Sequence, residues 1–324
     1  MSEIEAFFNH SIQWFWGMIW VRDPGHRLYW FFLLCFFAVG SCVYLIKKPG
    51  NSSLVTFLLP KDVLTHRSTY TDLKIYLLNG VLGTLINIAT LIASTALIAS
   101  GVNSFLNSTL GILQEQFSST FGIKVGFGIA FLLLTDFSVF FAHYLHHRIP
   151  YLWSFHKTHH SAEVLTPITA YRFHPIELIL SGLILSLCVG PLVGIYEYLF
   201  DSNYFTSNPT VFGVAMLLWL LTANFRHSHI PLHYPRIVSR WLVSPAMHNI
   251  HHSTNPKHFD KNFGLLFSIW DRIAGTLYLP EKQEKLNFGI TNEKSFKTAT
   301  ECYVTPIKEN LARIRNSIKL RYLK

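Results

Sequence analysis

Phe155-His156-Lys157-Thr158-His159-His160 and Met247-His248-Asn249-Ile250-His251-His252 carry the same spacing of three histidines, and His143-Tyr144-Leu145-His146-His147 precedes them. Positions i, i+3 and i+4 fall on one face of a helical turn, so each stretch presents its imidazoles to one side. Of the 17 histidines, 14 lie between His143 and His258. Neutral imidazole is the commonest metal ligand near neutral pH and suits iron, zinc, copper and nickel. One pair and two triplets make eight ligands, more than one ion holds. Two ions with positions left open for oxygen or substrate would use them. A carboxylate-bridged four-helix site needs paired Glu-x-x-His motifs. None occurs here, so the expected site is all-histidine or nearly so. A single histidine is more often solvated or satisfied in a core, but three groups on one side of a membrane are not explained that way.

The rest of the chain says where such a site would sit. Of 324 residues, 50% are hydrophobic and 14% charged, against about 25% charged in an ordinary globular domain. This excludes a disordered or fibrous protein. Several near-uncharged stretches reach the roughly 20 residues that span a bilayer. The hydropathy pattern predicts five spans: Leu28 to Ile46, Ile75 to Ala99, Val125 to Tyr144, Ile176 to Phe200 broken at Gly190-Pro191, and a short one from Val211 to Phe225. An even number follows if the broken fourth segment is re-entrant and the fifth does not cross. Trp14, Trp16 and Trp20 precede the first span as an interfacial anchor. Lys and Arg alternate between loops: Lys47, Lys48, Lys61, Arg67 and Lys74 in one, none in 100–123, then Arg148, Lys157 and Arg172, none in 201–209, and many after Arg226. The positive-inside rule then places the N-terminus outside and all three histidine groups on the cytoplasmic side.

The net charge of +9 fits a membrane surface rather than nucleic acid, because the basic residues gather on one predicted side. Cys35, Cys42, Cys188 and Cys302 form no CxxC, which argues against a disulfide framework, a thiolate zinc site and an iron–sulfur cluster. No cleavable signal peptide is visible. Near the C-terminus, Ile307, Leu311, Ile314 and Ile318 recur at helical spacing, with Lys308, Arg313, Arg315, Lys319 and Arg321 on other faces. Such a basic amphipathic helix either lies on anionic lipid or packs on the protein's own soluble part.

The pattern resembles the fatty acid hydroxylase/sterol desaturase superfamily of membrane histidine-box enzymes, with an N-terminal third similar to that of bacterial members. The resemblance rests on Asp136 to His143 and His147, Leu152 to Ser161, Arg172-Phe173-His174-Pro175-Ile176-Glu177, Asn224 to Ser228, Val243 to Ser253, Asp260 to Gly264, and Trp270 to Thr276. It implies an all-α integral membrane protein of four to five transmembrane helices, with a cytoplasmic helical cap holding a dimetal site. It divides the chain into an N-terminal membrane region (1–124), a catalytic domain (125–280) and a basic cytoplasmic tail (281–324). The ligands implied are His143, His147, His156, His159, His160, His227, His248, His251 and His252. His229 or His233 could replace His227, and His174 is a further candidate ligand or supporting donor. His146 and His258 are read as bystanders, and His10, His26 and His66 as unrelated. Tyr144, His229 and Phe263 depart from residues frequent in the family, which bears on the substrate and leaves the metal site intact. Asp136, a costly charge near the membrane interior, is expected to accept a hydrogen bond from a ligand imidazole. Asp260, Asn262 and Asp271 are expected to do likewise; a structural Asp271–Arg272 salt bridge is the alternative.

The chemistry implied is O2-dependent hydroxylation or desaturation of a sterol, fatty acyl or related lipid at two iron ions, with zinc able to replace iron in purified protein. No Gly-rich dinucleotide fingerprint, cysteine cluster or His-Pro-Gly-Gly haem motif occurs, so electrons are expected from a separate ferredoxin or cytochrome with its reductase. The expected location is a bacterial inner membrane, otherwise the endoplasmic reticulum. The alternative is a metal transporter or redox-silent metal-binding protein. A transporter's ligands should spread through the midplanes of the spans, and a membrane cytochrome needs axial histidine pairs within them.

Overall fold

The computed structural model describes residues 27–47, 50, 52–92, 94–113, 117–200, 213–214, 219–280, 284–291 and 295–322. Among these the chain is helical, and its one strand-like contact is an isolated bridge between Leu242 and Phe267. The principal helices are α1 (Trp30–Lys47), α2 (Arg67–Ile92), α3 (Thr95–Leu110), α4 (Phe121–Arg148), α5 (Pro150–His160), α6 (Pro175–Phe200), α7 (Pro245–His251), α8 (Ile269–Ala274) and α9 (Ala299–Tyr322).

Helices α1, α4 and α6 are long and apolar enough to cross a membrane, with mean hydropathies of 1.9, 2.0 and 2.4. They turn large apolar side chains outward, among them Leu34 and Ile46 on α1, Ile129 and Leu133 on α4, and Leu187 and Ile195 on α6. Outward apolar side chains are stable only against lipid or another apolar surface.

Two spans differ from the sequence reading. The stretch Ile75–Ala99 is divided: α2 ends at Ile92, and Ser94 caps a new helix by accepting the Leu97 N–H at 3.2 Å. The stretch expected to break at Gly190-Pro191 is instead one helix, α6, with Pro191 inside it. Gly190 and Gly194 explain what these residues do there. A Cβ on Gly194 would stand 2.5 Å from the Ala99 carbonyl oxygen, and one on Gly190 would stand 2.7 Å from the Ile98 side chain. The Gly-x-x-x-Gly face therefore lets α6 press against α3, as small residues do between membrane helices. Ala99, Phe131, Val189, Val193 and Tyr196 fill the seam among α3, α4 and α6. The fifth expected span, Val211–Phe225, lies partly outside the described residues, and Trp14, Trp16 and Trp20 lie wholly outside them.

The histidine-bearing cap is built on one end of α4 and α6. Helix α5 begins at Pro150, directly after α4 ends at Arg148; proline at the first helical position has no N–H to lose. Arg172 is buried and ties the cap together. It donates to Asp72 Oδ1 at 2.7 Å, to the Thr158 carbonyl at 2.8 Å, to Ser161 Oγ at 2.8 Å and to the Phe296 carbonyl at 3.1 Å. A guanidinium with this many acceptors can be buried without an uncompensated charge.

The basic helix near the C-terminus packs by its polar face. Glu309 accepts from Ser154 Oγ and Lys157 Nζ, Asn310 donates to the Tyr151 carbonyl, and Arg313 donates to the Pro150 carbonyl. Its apolar stripe, Ile307, Leu311, Ile314 and Ile318, stays exposed.

Candidate metal centre

Four pieces of chain bring the histidines together. Helix α4 supplies His143 and His147 one turn apart, α5 supplies His156, His159 and His160, and a 3-10 turn, Asn224–His227, supplies His227. Helix α7, started by Pro245, supplies His248 and His251, and His252 caps it. Nine imidazoles gather into two groups: His143, His147, His156, His160 and His251 in the first, and His159, His227, His248 and His252 in the second. Within each, one ligand atom per residue lies within 4.8 Å of the others.

The two triplets divide in opposite senses. His156 and His160, i and i+4, serve the first group, and their neighbour His159 serves the second. His248 and His252, again i and i+4, serve the second group, and their neighbour His251 serves the first. Adjacent residues on a helix diverge by about 100°, so a His-His pair naturally feeds two centres.

The distances fit metal ions. In the second group, His227 Nε2 lies 3.2 Å from His159 Nε2, 3.2 Å from His252 Nε2 and 3.0 Å from His248 Nε2. In the first, His160 Nε2 lies 3.1 Å from His147 Nε2 and 3.2 Å from His156 Nε2. Ligand nitrogens about 2.0–2.1 Å from one ion are separated from one another by about 2.9–3.4 Å. So many converging lone pairs cannot all be satisfied by hydrogen bonds among themselves. The Nε2 atoms of His143 and His251 are buried and have no hydrogen-bond partner among the described residues.

The opposite ring nitrogens are held. His143 Nδ1 faces the Phe263 carbonyl at 2.9 Å, His251 Nδ1 the Lys261 carbonyl at 2.8 Å, and His156 Nδ1 the Glu177 carboxylate at 2.6 Å. An acceptor at Nδ1 keeps the proton there and leaves the Nε2 lone pair free. His147 Nδ1 lies 3.5 Å from Asp260, which also accepts from Arg148 at 2.9 Å. His248 differs: Arg226 Nη2, which can only donate, faces its Nδ1 at 3.1 Å. His159 stacks on Phe173, with ring centroids 4.6 Å apart. For His156, His159, His160, His227, His248, His251 and His252, burial first, and then neighbouring imidazoles (or Arg27 and Arg226 for His227, and Arg226 for His248), hold the imidazoles well below their ordinary range. Burial thus favours the neutral form, the one that binds metal.

Several expected roles fall elsewhere. Asp136 meets no ligand imidazole. It accepts from the backbone N–H groups of Leu266 and Phe267 at 2.7 and 3.1 Å and from Trp270 Nε1 at 2.8 Å, so it clamps the loop after Phe263. Asp271 accepts from the Phe263 and Gly264 N–H groups and from Thr276, while Arg272 turns to the Arg240 carbonyl; the two do not pair. Asn262 bridges Met247 and Tyr278 through backbone groups, again touching no imidazole. His174 faces the Tyr303 carbonyl and His229 the Phe57 carbonyl; neither these two nor His233 joins a group. Bystanders His146 and His258 lie outside both groups as well: His146 Nδ1 faces the Ala142 carbonyl and His258 Nε2 faces Glu284. Glu177 is the partner that sequence reasoning missed. Its signal was a carboxylate at the start of an apolar run that carries no further charge until Glu197.

Two cavities border the groups. One, of about 280 Å³, lies against His143, His156, His159, His227 and His248, between α4 and α6, with walls including Val139, Phe173, Leu178, Leu185 and Leu265. The other, of about 380 Å³, lies against His147, His160, His251 and His252, beside Trp153, Asp260 and Thr291. The nine imidazoles form a partition between them, and each cavity meets both groups.

Residues 128–276 match the family model described as Fatty acid hydroxylase. Alkylglycerol monooxygenase of Xenopus tropicalis is 29% identical over 161 residues, 48% of this chain and 31% of that protein. Human lathosterol oxidase is 29% identical over 158 residues, 48% of this chain and 46% of that protein. A Delta(7)-sterol 5(6)-desaturase of Gibberella zeae is 29% identical over 167 residues, 47% of this chain and 38% of that protein. The match thus covers less than half the length of each of these relatives. No solved structure gives a significant match.

Proposed function

We propose, from the match of residues 128–276 to the fatty acid hydroxylase family model, that the protein is a membrane-bound, O2-dependent lipid oxidoreductase with a histidine-held di-iron centre. The observation that carries this reading is the convergence of nine Nε2-bearing imidazoles into two adjoining groups, each spaced for one ion. Two irons held there would supply the reduction of O2 and the removal of hydrogen from an unactivated C–H bond. Hydroxylation places one oxygen atom in the lipid and the other in water, consuming two electrons and two protons. Desaturation consumes the same electrons and protons and releases both oxygen atoms as water.

The chain's own residues bind, orient and exclude water. The apolar walls of the 280 Å³ cavity take the lipid and keep water from the reacting carbon. Asp136 and Asp271 fix the loop 263–267, which carries the carbonyl that orients His143. Glu177 fixes His156. The proposed ligands are the nine histidines of the two groups, and residues 125–280 are the proposed catalytic unit, with 1–124 a membrane region and 281–324 a cytoplasmic tail. The loop charges support a cytoplasmic face for the centre, in a bacterial inner membrane or the endoplasmic reticulum. A ferredoxin or cytochrome with its reductase delivers the electrons.

Elemental analysis of detergent-purified protein tests this. Wild type is expected to carry two irons per chain, or zinc in their place. His251→Ala and His252→Ala, which strike different groups, should each lower the content, and the double variant should lower it further. Metal content insensitive to all three would overturn the reading.

A further inference from the structure

One cation lining the 280 Å³ cavity keeps a donor without a hydrogen-bond partner among the described residues. It is Arg27, whose Nη1 is shielded from solvent. The residue is not loosely placed. Its N–H donates to Tyr171 Oη at 3.0 Å, its carbonyl accepts from Asn224 Nδ2 at 3.0 Å, and its guanidinium lies 4.6 Å over the Trp219 ring. The other charged groups of the lining are engaged, except that Glu177 Oε2 is buried with no hydrogen-bond partner among the described residues. Arg226 donates to the Leu265 and Gly264 carbonyls and to His248, and Glu177 Oε1 faces His156. The lining therefore carries two guanidiniums against one carboxylate, beside an imidazole cluster, with apolar walls elsewhere. A buried guanidinium with a free donor in such a cavity calls for an oxyanion, with which charge-assisted hydrogen bonds are strongest. Ser181 and Gly182 keep the α6 wall of the same cavity small.

We propose that Arg27 is a specificity-determining residue that binds an oxyanion at the polar end of the lipid substrate, a carboxylate or similar group on an aliphatic chain. This rests on the lipid-oxidoreductase reading and adds to it. Because Arg27 and the imidazoles of His227 and His248 border one compact cavity, the polar end is held near the centre. The carbon oxidised in the reaction above then lies close to that end, not at the far terminus of the chain.

The test is photoaffinity labelling of the full chain in nanodiscs, with palmitate carrying a diazirine near its carboxylate and with the methyl ester of the same probe. Labelled peptides are mapped by mass spectrometry, and metal is measured on the same preparation. Palmitate should label the segments 173–185 and 263–265, about tenfold more than the ester does. Arg27→Gln should remove that preference, and Arg27→Lys should keep part of it. Equal labelling by acid and ester in wild type overturns the proposal and needs no variant, as does an unchanged preference in a folded Arg27→Gln protein. Two irons without labelling in the cavity would sink the Arg27 proposal alone. Arg27-dependent labelling in a protein unable to hold metal would support it while sinking the oxidoreductase.

Discussion

Glu177→Gln and Glu177→Leu separate the two things that carboxylate does for His156. Glu177 Oε1 lies 2.6 Å from His156 Nδ1, with side chains 5% and 3% exposed. So buried a contact is little screened by solvent. Glutamine keeps an oxygen acceptor in place and loses the charge; leucine loses both and leaves Nδ1 unsatisfied. Losing the partner of a ligand imidazole typically costs about 10–100-fold in metal affinity, or about 1.4–2.7 kcal/mol. A hydrogen bond to a charged group is independently worth about 1.5–3 kcal/mol, so the two scales agree. The expected outcome is about tenfold weaker metal binding for Glu177→Gln and about a hundredfold for Glu177→Leu. The loss should be confined to the ion of the first group, where His156 belongs. The assay is chelator competition at pH 7 on zinc-loaded protein, read as two separate affinities, with circular dichroism confirming the helical fold. His156→Ala sets the lower limit. Wild-type affinity at both positions in Glu177→Leu would refute the argument that this carboxylate orients the ligand.

Three further outcomes follow from other contacts. Asp136→Leu orphans the N–H groups of Leu266 and Phe267 and the Trp270 indole; at about 1–3 kcal/mol per buried group it should unfold well below wild type in thermal melts, and unchanged melting would refute the clamp. Gly194→Ala places a Cβ 2.5 Å from the Ala99 oxygen and 2.8 Å from Val102 Cβ, an overpacking cost of about 1–3 kcal/mol. Gly126→Ala, with nothing within 4 Å of the new Cβ, should match or exceed wild-type stability by the same melts. In metal-stripped protein, the histidines outside the spans have folded pKa values depressed by burial. Below about pH 6.5 the unfolded chain gains protons that the folded chain refuses, so stability is full above that pH and falls on acidification. Each group contributes up to about 1.4 kcal/mol per pH unit; urea melts flat from pH 7.5 to 5.5 would contradict neutral imidazoles.

Local spacing was readable wherever a single helical turn decides the outcome. His143 with His147, and the i, i+3, i+4 triplets, needed only helix geometry to share a face. What depended on a second element was not readable. The apolar run Ile75–Ala99 divides because Ser94 can cap a helix, and nothing in its hydropathy says that it does. Gly190 and Pro191 look like a break. With Ile98 and the Thr95 carbonyl of α3 against Gly190, the small residue becomes a contact and the helix continues. Asp136 was correctly singled out as a costly buried charge, but its partners lie 130 residues or more away in a loop with no periodic signal. Glu177 stood in the motif that contains Arg172 and His174, yet its role depends on how α6 meets α5.

The division of imidazoles between the two groups marks the same boundary inside the site. A His-x-x-His-His stretch on a helix must point its last two rings in different directions, so two centres were implicit in the repeated spacing. Which centre receives the i, i+4 pair depends on which side of the site the helix approaches from. The i+3 histidine of α5, His159, joins the second group, and the i+3 histidine of α7, His251, joins the first. The same arrangement makes a wall: of the nine grouped rings, five border the apolar cavity, where His146 also stands, and four border the cavity beside Asp260 and Thr291, with none shared. A lone His-x-x-His-His stretch would leave each centre short of ligands. Two that divide their rings in opposite senses, joined by His143, His147 and His227, supply both centres and separate a lipid-like space from a more polar one.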